Sequence, residues 1–311
     1  MISLPHLLRF CAALLLAATL CVSLDASSAL AAEPGVAPLE LVVLGSGGPG
    51  AGGRAGAGYV VRVDGTPRIL LDAGPGTFVR LGEAKLDIRR LDIVLLTHLH
   101  VDHVAELPGI VKARAVASRS DITFEVFGPG AAQPFPSTRH YIDLMFGKHG
   151  AFSYLQDFAG TVSFNTTDLD HLTAPKTLLS QNGLVISAVT GHHRDAPAVI
   201  YRVDYRGKSI TFSGDIDAQG HAALTHIARG SDLLVFNAPV LDPPASPPAL
   251  YSLHTAPGDI GRISAAAQVS SLLLSHLSRD IDESRDAVTQ SIHRTYQGPV
   301  QFAGDGLRIR P

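Results

Sequence analysis

Cysteine is nearly absent from this sequence, and its placement matters more than its rarity. The two cysteines, Cys11 and Cys21, both fall in the N-terminal segment. The rest of the chain therefore has no thiol, which excludes a disulfide framework, a thiolate nucleophile and thiolate metal ligands there. Tryptophan is missing and aromatic residues make up only 6% of the 311 residues, so Leu, Val, Ile, Ala and Phe must fill the core. Charge is also sparse, at 17% of residues with a formal net charge of -3. Proteins that grip many phosphates are usually basic, so extended nucleic-acid binding is not expected. No internal repeat, heptad or block of like charge is visible.

What is present begins with a leader. Arg9 precedes an apolar run from Phe10 to Val22, and Ala29-Leu30-Ala31 supplies small residues before Ala32-Glu33-Pro34. This layout predicts a secretory signal peptide over residues 1–31 and a periplasmic or secreted mature chain, 32–311. The run is short of the roughly twenty apolar residues a membrane anchor needs. A lipoprotein anchored at Cys21 is disfavoured because Leu20 stands where a small residue is expected. A chain that is 46% hydrophobic can bury a large core, in one large domain or two small ones.

Leu39–Leu44 reads as a strand running into Gly45-Ser46-Gly47-Gly48-Pro49-Gly50. Gly45, Gly47 and Gly50 fit a dinucleotide-binding loop, but the glycine-rich stretch that follows cannot be the required helix. Further strands are predicted at Tyr59–Val63, Arg68–Leu71, Leu91–Leu96, Ile122–Phe127, Leu184–Val189, Ala198–Tyr205, Ser209–Phe212, Leu233–Phe236 and Leu272–Leu274. Val300–Ile309 reads as a last strand interrupted by Gly304-Asp305-Gly306. Helices are expected at Thr77–Leu81, at Val104–Val116 with a kink or stop at Pro108-Gly109, and at Pro257–Ala267. The aromatic-rich segment 131–183 reads as a partly helical insertion that either shapes a substrate entrance or packs as a hairpin. Strands alternating with helices argue for a layered α/β fold.

Chemistry gathers at the strand ends. Thr97-His98-Leu99-His100-Val101-Asp102-His103 closes the apolar run Leu91–Leu96, and imidazole with carboxylate suits zinc and related metals. Asp72, at another strand end, is either a helix cap or the partner of a metal histidine. His192/His193, Asp215 and His276 end three more strands. By contrast His140, His149, His171, His221 and His226 lack ligand-like spacing, and Asp168-Leu169-Asp170-His171 has no strand to hold it.

Together THLHVDH (97–103), FSGD (212–215), LHTA (253–256) and LLSH (273–276) make the chain resemble the metallo-β-lactamase-fold hydrolases, in the branch of ribonuclease Z and the arylsulfatase-like enzymes. The resemblance spans the mature chain. It implies a four-layer αββα sandwich of the α/β (α+β) class. It also implies two zinc ions, with manganese or iron as alternatives. His98, His100 and His193 would bind one metal, Asp102, His103 and His276 the other, and Asp215 would bridge them. His193 is preferred over His192 because the run to Tyr201 best fits the family spacing. A metal-bound hydroxide would be the nucleophile, oriented by Asp102, and His254 would assist the leaving group.

The function expected is a secreted hydrolase of a small ester, a phosphodiester first, with an aryl sulfate, lactone or carboxylic ester as alternatives. A tRNA role fits poorly with the leader and the charge balance. A non-catalytic zinc-binding protein and an iron oxidoreductase on the same scaffold are the competing classes. No membrane span is expected in the mature chain, and a homodimer is left open.

Overall fold

The computed structural model describes residues 36–50 and 52–311; the 1–31 segment and both cysteines lie outside them. The strands β1 (Leu39–Gly45), β2 (Gly58–Val63), β3 (Thr66–Ala73), β4 (Ile93–Leu95), β5 (Ile122–Pro129) and β6 (Val162–Leu169) belong to one sheet. A second sheet holds β7 (Lys176–Gln181), β8 (Leu184–Thr190), β9 (Val199–Tyr205), β10 (Lys208–Phe212), β11 (Leu233–Asn237), β12 (Leu272–Ser275) and β13 (Val300–Phe302). The last strand, β14 (Arg308–Ile309), returns to the first sheet beside β1.

Both sheets follow one plan. An antiparallel meander, β1-β2-β3 or β7-β8-β9-β10, passes into a parallel run, β3-β4-β5-β6 or β10-β11-β12-β13. Parallel neighbours need crossover connections, usually helical. The first sheet uses α1 (Thr77–Glu83), α2 (Val101–Val104), α3 (Leu107–Ser118) and α4 (Thr138–Phe146); the second uses α5 (His221–Ile227), α6 (Pro257–Ala266), α7 (Arg279–Glu283) and α8 (Arg285–His293).

The strand side chains explain the layers. Leu41, Val43, Ile69, Leu71, Ile93 and Leu95 meet Ile186, Val203, Ile210 and Val235 in a core between the sheets. Their alternating neighbours Val42, Leu44, Leu70, Val94 and Leu96 pack on Leu107, Ile110 and Ile142 of the helices. Leu234, Phe236, Leu272 and Leu274 do the same with Ile260, Ile263 and Ile292. Strands buried on both faces must be apolar throughout, which is why the part of Leu91–Leu96 that follows Asp92 and forms β4 carries no alternation. Three apolar layers separate four layers of structure, the expected αββα sandwich. Among the described residues no helix is long and apolar enough to cross a membrane.

Three local expectations change. Val104–Val116 is not one helix: α2 ends at Val104 and α3 begins at Leu107, with Pro108 in its first turn, where a missing N–H costs nothing. The tail is not one interrupted strand, because β13 and β14 lie in different sheets. The segment 131–183 is helical at α4 and in the turn Ser153–Gln156, but its remainder forms β6 and β7, edge strands of the two sheets.

Asp305, in the crossing between β13 and β14, fixes the glycine-rich loop after β1. Its carboxylate accepts hydrogen bonds from the Ser46 amide and hydroxyl (3.0 and 2.8 Å) and from the Ala55 amide (2.9 Å). An Asp305→Ala variant is expected to lose about 1–3 kcal/mol, since those donors would be left unpaired. Urea titration should show a lower midpoint at an unchanged m value.

Candidate metal centre

The parallel strands end at one edge of the sandwich, and the polar residues that follow them converge. After β4 the chain turns through Thr97 to His100, and α2 then presents Asp102 and His103 in its first turn. Asp72, near the end of β3, is 1% exposed. Its carboxylate accepts from the Thr97 amide (2.8 Å), the Thr97 hydroxyl (2.7 Å) and His103 Nδ1 (2.8 Å). Of the two roles open to it, the structure shows the histidine partner; α1 is preceded by Gly76, not by a capping carboxylate. With Nδ1–H held by Asp72, His103 turns Nε2 toward the centre, the usual way a carboxylate fixes a metal histidine. Gly74 lets this turn close, because a Cβ there would lie 2.1 Å from the Asp102 carbonyl oxygen.

The second sheet supplies the rest. After β8, His193 donates Nδ1–H to the Leu253 carbonyl (2.6 Å) and points Nε2 at His100 Nδ1 (3.3 Å). Its neighbour His192 pairs instead with Asp217 (2.7 Å). After β10, Gly214 has φ +57, and any Cβ would meet Thr97 at 2.9 Å. It brings in Asp215, whose Oδ1 accepts from Asn237 Nδ2 (2.8 Å). Oδ2 is left facing five imidazoles: His276 at 3.5 Å, His103 at 3.6 Å, His254 at 3.7 Å, and His98 and His193 at 3.8 Å. After β12, His276 Nε2 lies 3.2 Å from both His103 Nε2 and Asp102 Oδ2.

These donors fit metal ions. His98, His100 and His193 bring one nitrogen each to one spot, and a carboxylate oxygen of Asp102 meets one nitrogen each of His103 and His276 at another; Asp215 joins His98 and His103 in a third set. His98 Nε2 is 3.0 Å from His100 Nδ1, and His193 Nε2 is 3.3 Å from the same His100 nitrogen. Four donors at zinc distances of 2.0–2.1 Å in a tetrahedron are about 3.3 Å apart, so nitrogens at this spacing suit a cation between them. Burial pushes the His98 imidazole well down, and like-charged neighbours add to this. Burial also pushes His103 down, but Asp72 and Asp215 outweigh it and hold that imidazole well above its ordinary value. Burial alone would raise the Asp215 carboxyl, yet His276, His254 and His103 together hold it well below the carboxylate range. Two carboxylates thus demand positive charge in a buried place, which a cation would satisfy.

His254 stands against the cluster rather than at the surface. It is 8% exposed, and its Nδ1 has no hydrogen-bond partner. Burial, outweighing the pull of Asp215, holds it down at about 4. His221 is half-buried on the Thr255 hydroxyl (3.0 Å) beside it. His140, His149, His171 and His226 are exposed, and Asp168–His171 forms no ligand group among the described residues. Sequence reasoning missed Asn237, which orients Asp215, while Phe135, of the aromatic-rich segment expected to shape an entrance or pack as a hairpin, has its ring 5.4 Å from that of His100. Only a polar residue ending the apolar strand Leu233–Phe236 hinted at the first. Asp72→Asn is expected to weaken metal binding about 10–100-fold, because an amide no longer fixes the His103 tautomer. Competition with a chromophoric chelator measures it.

The sequence matches the beta-lactamase superfamily domain over residues 67–277. A ribonuclease Z of Mycobacterium sp. (strain KMS) is 27% identical over 270 residues, 80% of this chain and 87% of that protein. The metallo-β-lactamase fold protein YhfI from Bacillus subtilis superposes with a TM-score of 0.67 at 20% identity, covering 88% of this chain and 99% of that one. The short form of human tRNase Z superposes with a TM-score of 0.63 at 22% identity, with the same coverage. With that domain match over most of its described length and the two-sheet sandwich beneath it, the chain belongs to the beta-lactamase superfamily, as a metal-dependent hydrolase of the metallo-β-lactamase fold.

Proposed function

We propose that this hydrolase is an exported, dinuclear zinc enzyme that cleaves an ester bond, with a small phosphodiester as the first candidate. The observation that carries this reading is Asp215 Oδ2, 3.5–3.8 Å from nitrogens of both histidine sets. His98, His100 and His193 would hold one cation, Asp102, His103 and His276 the other, and Asp215 would lie between. When bound, two divalent cations would lower the pKa of a shared water toward about 7 and neutralise charge on the ester.

The residues divide the remaining work. Asp102 is the more accessible carboxylate, its side chain 14% exposed, and would orient the attacking water. His254 would donate a hydrogen bond or proton from Nδ1, the atom without a partner, to the leaving-group oxygen. No serine or cysteine nucleophile is needed. The relative named ribonuclease Z supports a phosphodiester. The net charge of -3 and the leader-like N-terminus favour a small substrate over tRNA. Aryl sulfates, lactones and carboxylic esters present the same demands to the same residues.

Elemental analysis of the purified protein should find about two zinc-like ions per chain, and fewer in Asp215→Ala. A panel of chromogenic phosphodiester, arylsulfate, lactone and cephalosporin substrates should show phosphodiester turnover. His254→Ala should lower kcat about 10²–10³-fold at unchanged metal content. Two retained ions without turnover of any substrate would make the protein a metal-binding protein instead, and bound iron with redox activity would make it an oxidoreductase.

A further inference from the structure

A cavity of ≈ 460 Å³ opens beside His254, between the glycine-rich loop after β1 and the segments following β11 and β12. That size falls within the roughly 300–1,000 Å³ of pockets that bury small ligands. Its apolar walls are Pro49, Pro239 and Leu250, backed by the buried Val240 and Leu277, and Arg54, Arg279 and Asp282 stand on its rim. The charges on it are committed. Arg54 grips both Asp282 oxygens (2.7–2.9 Å), and its remaining nitrogen donates to Ser46 Oγ (2.8 Å) and the Ala303 carbonyl (3.2 Å). Arg279, mostly in solvent, pairs with Glu283 (2.7 Å). Arg279 is the one cation here that an anion could readily reach, whereas an apolar group would leave water for the Leu250, Pro49 and Pro239 side chains.

We propose that this cavity seats a compact apolar or aromatic group carried by the ester on the side of the leaving group, so that the substrate is a small aryl- or alkyl-bearing phosphodiester and not a polynucleotide. The inference rests on the ester-hydrolase reading above, because His254 is both a wall of the cavity and the residue assigned to the leaving oxygen. A group seated against Leu250 and Pro239 places the bond it carries beside His254. Apolar pockets discriminate by about tenfold or more per methylene-sized difference, so the cavity would set preference among esters that the metal site treats alike.

The test uses the metal-loaded, full-length protein, with phenyl phosphate and methyl phosphate as probes. Each is measured as a competitive inhibitor of bis(4-nitrophenyl) phosphate hydrolysis and, independently of turnover, by titration calorimetry. Phenyl phosphate should bind at least about tenfold tighter than methyl phosphate, and Leu250→Ala should shrink that ratio several-fold. The wild-type ratio needs no variant, so a misfolded Leu250→Ala would not spare the proposal. Equal affinity for the two probes in a protein that hydrolyses the diester overturns the pocket and leaves the hydrolase standing. A phenyl preference in a protein that hydrolyses no ester overturns the hydrolase and leaves the pocket. A short single-stranded RNA that competes better than phenyl phosphate also overturns it.

Discussion

A carboxylate only 2% exposed, with five imidazoles within 4 Å of one of its oxygens, is the constraint on which the centre depends. An ion taken out of water without compensation is very costly. The surroundings of Asp215 are accordingly specified atom by atom. Asn237 takes one oxygen and thereby aims the other. Asp72 and the Leu253 carbonyl take the outer N–H of His103 and His193, which fixes the tautomers and leaves the inner nitrogens with lone pairs. The nitrogens so prepared lie 3.2 and 3.3 Å from those of His276 and His100, a spacing that suits ligands of one cation.

The sheets make this crowding affordable. In each, the antiparallel meander and the parallel strands beside it share the inner core, and the parallel strands end at the same edge. The first sheet delivers Asp72 and the His98–His103 turn there, and the second delivers Asp215, Asn237 and His276. Small backbone concessions let the pieces touch, as at Gly74 under the Asp102 carbonyl and Gly214 against Thr97. The glycine-rich stretch after β1 belongs to the same economy. It is pinned by Asp305 and Arg54 and forms a wall of the cavity beside His254.

What the sequence disclosed follows the range of each signal. Leu91–Leu96 was legible because a strand buried on both faces must be apolar, and the residues of Thr97–His103 are dense enough to stand out alone. The structure brings His98, His100, Asp102, His103, His193, Asp215, His254 and His276 to one place. Asp72 stayed ambiguous because Asp-Ala-Gly-Pro-Gly suits a cap as well as a histidine partner, and only the fold brings His103 within 2.8 Å. Asn237 was marked only as a polar strand end, because its partner lies 22 residues away. β6 and β7 were hidden by their edge positions, where Ser163, Asn165, Lys176 and Gln181 face solvent and no apolar run marks a strand. The shared plan of the two sheets left no repeat to read, since pairing geometry constrains apolar character and not residue identity.

The central claim is that two cations are held at two distinct positions joined by Asp215. Anomalous X-ray diffraction at the zinc edge, on crystals of the zinc-loaded protein, tests it directly. Two peaks are expected, one among His98, His100 and His193 and one among Asp102, His103 and His276, with Asp215 between them. A single peak, or zinc found only at the surface, would contradict it.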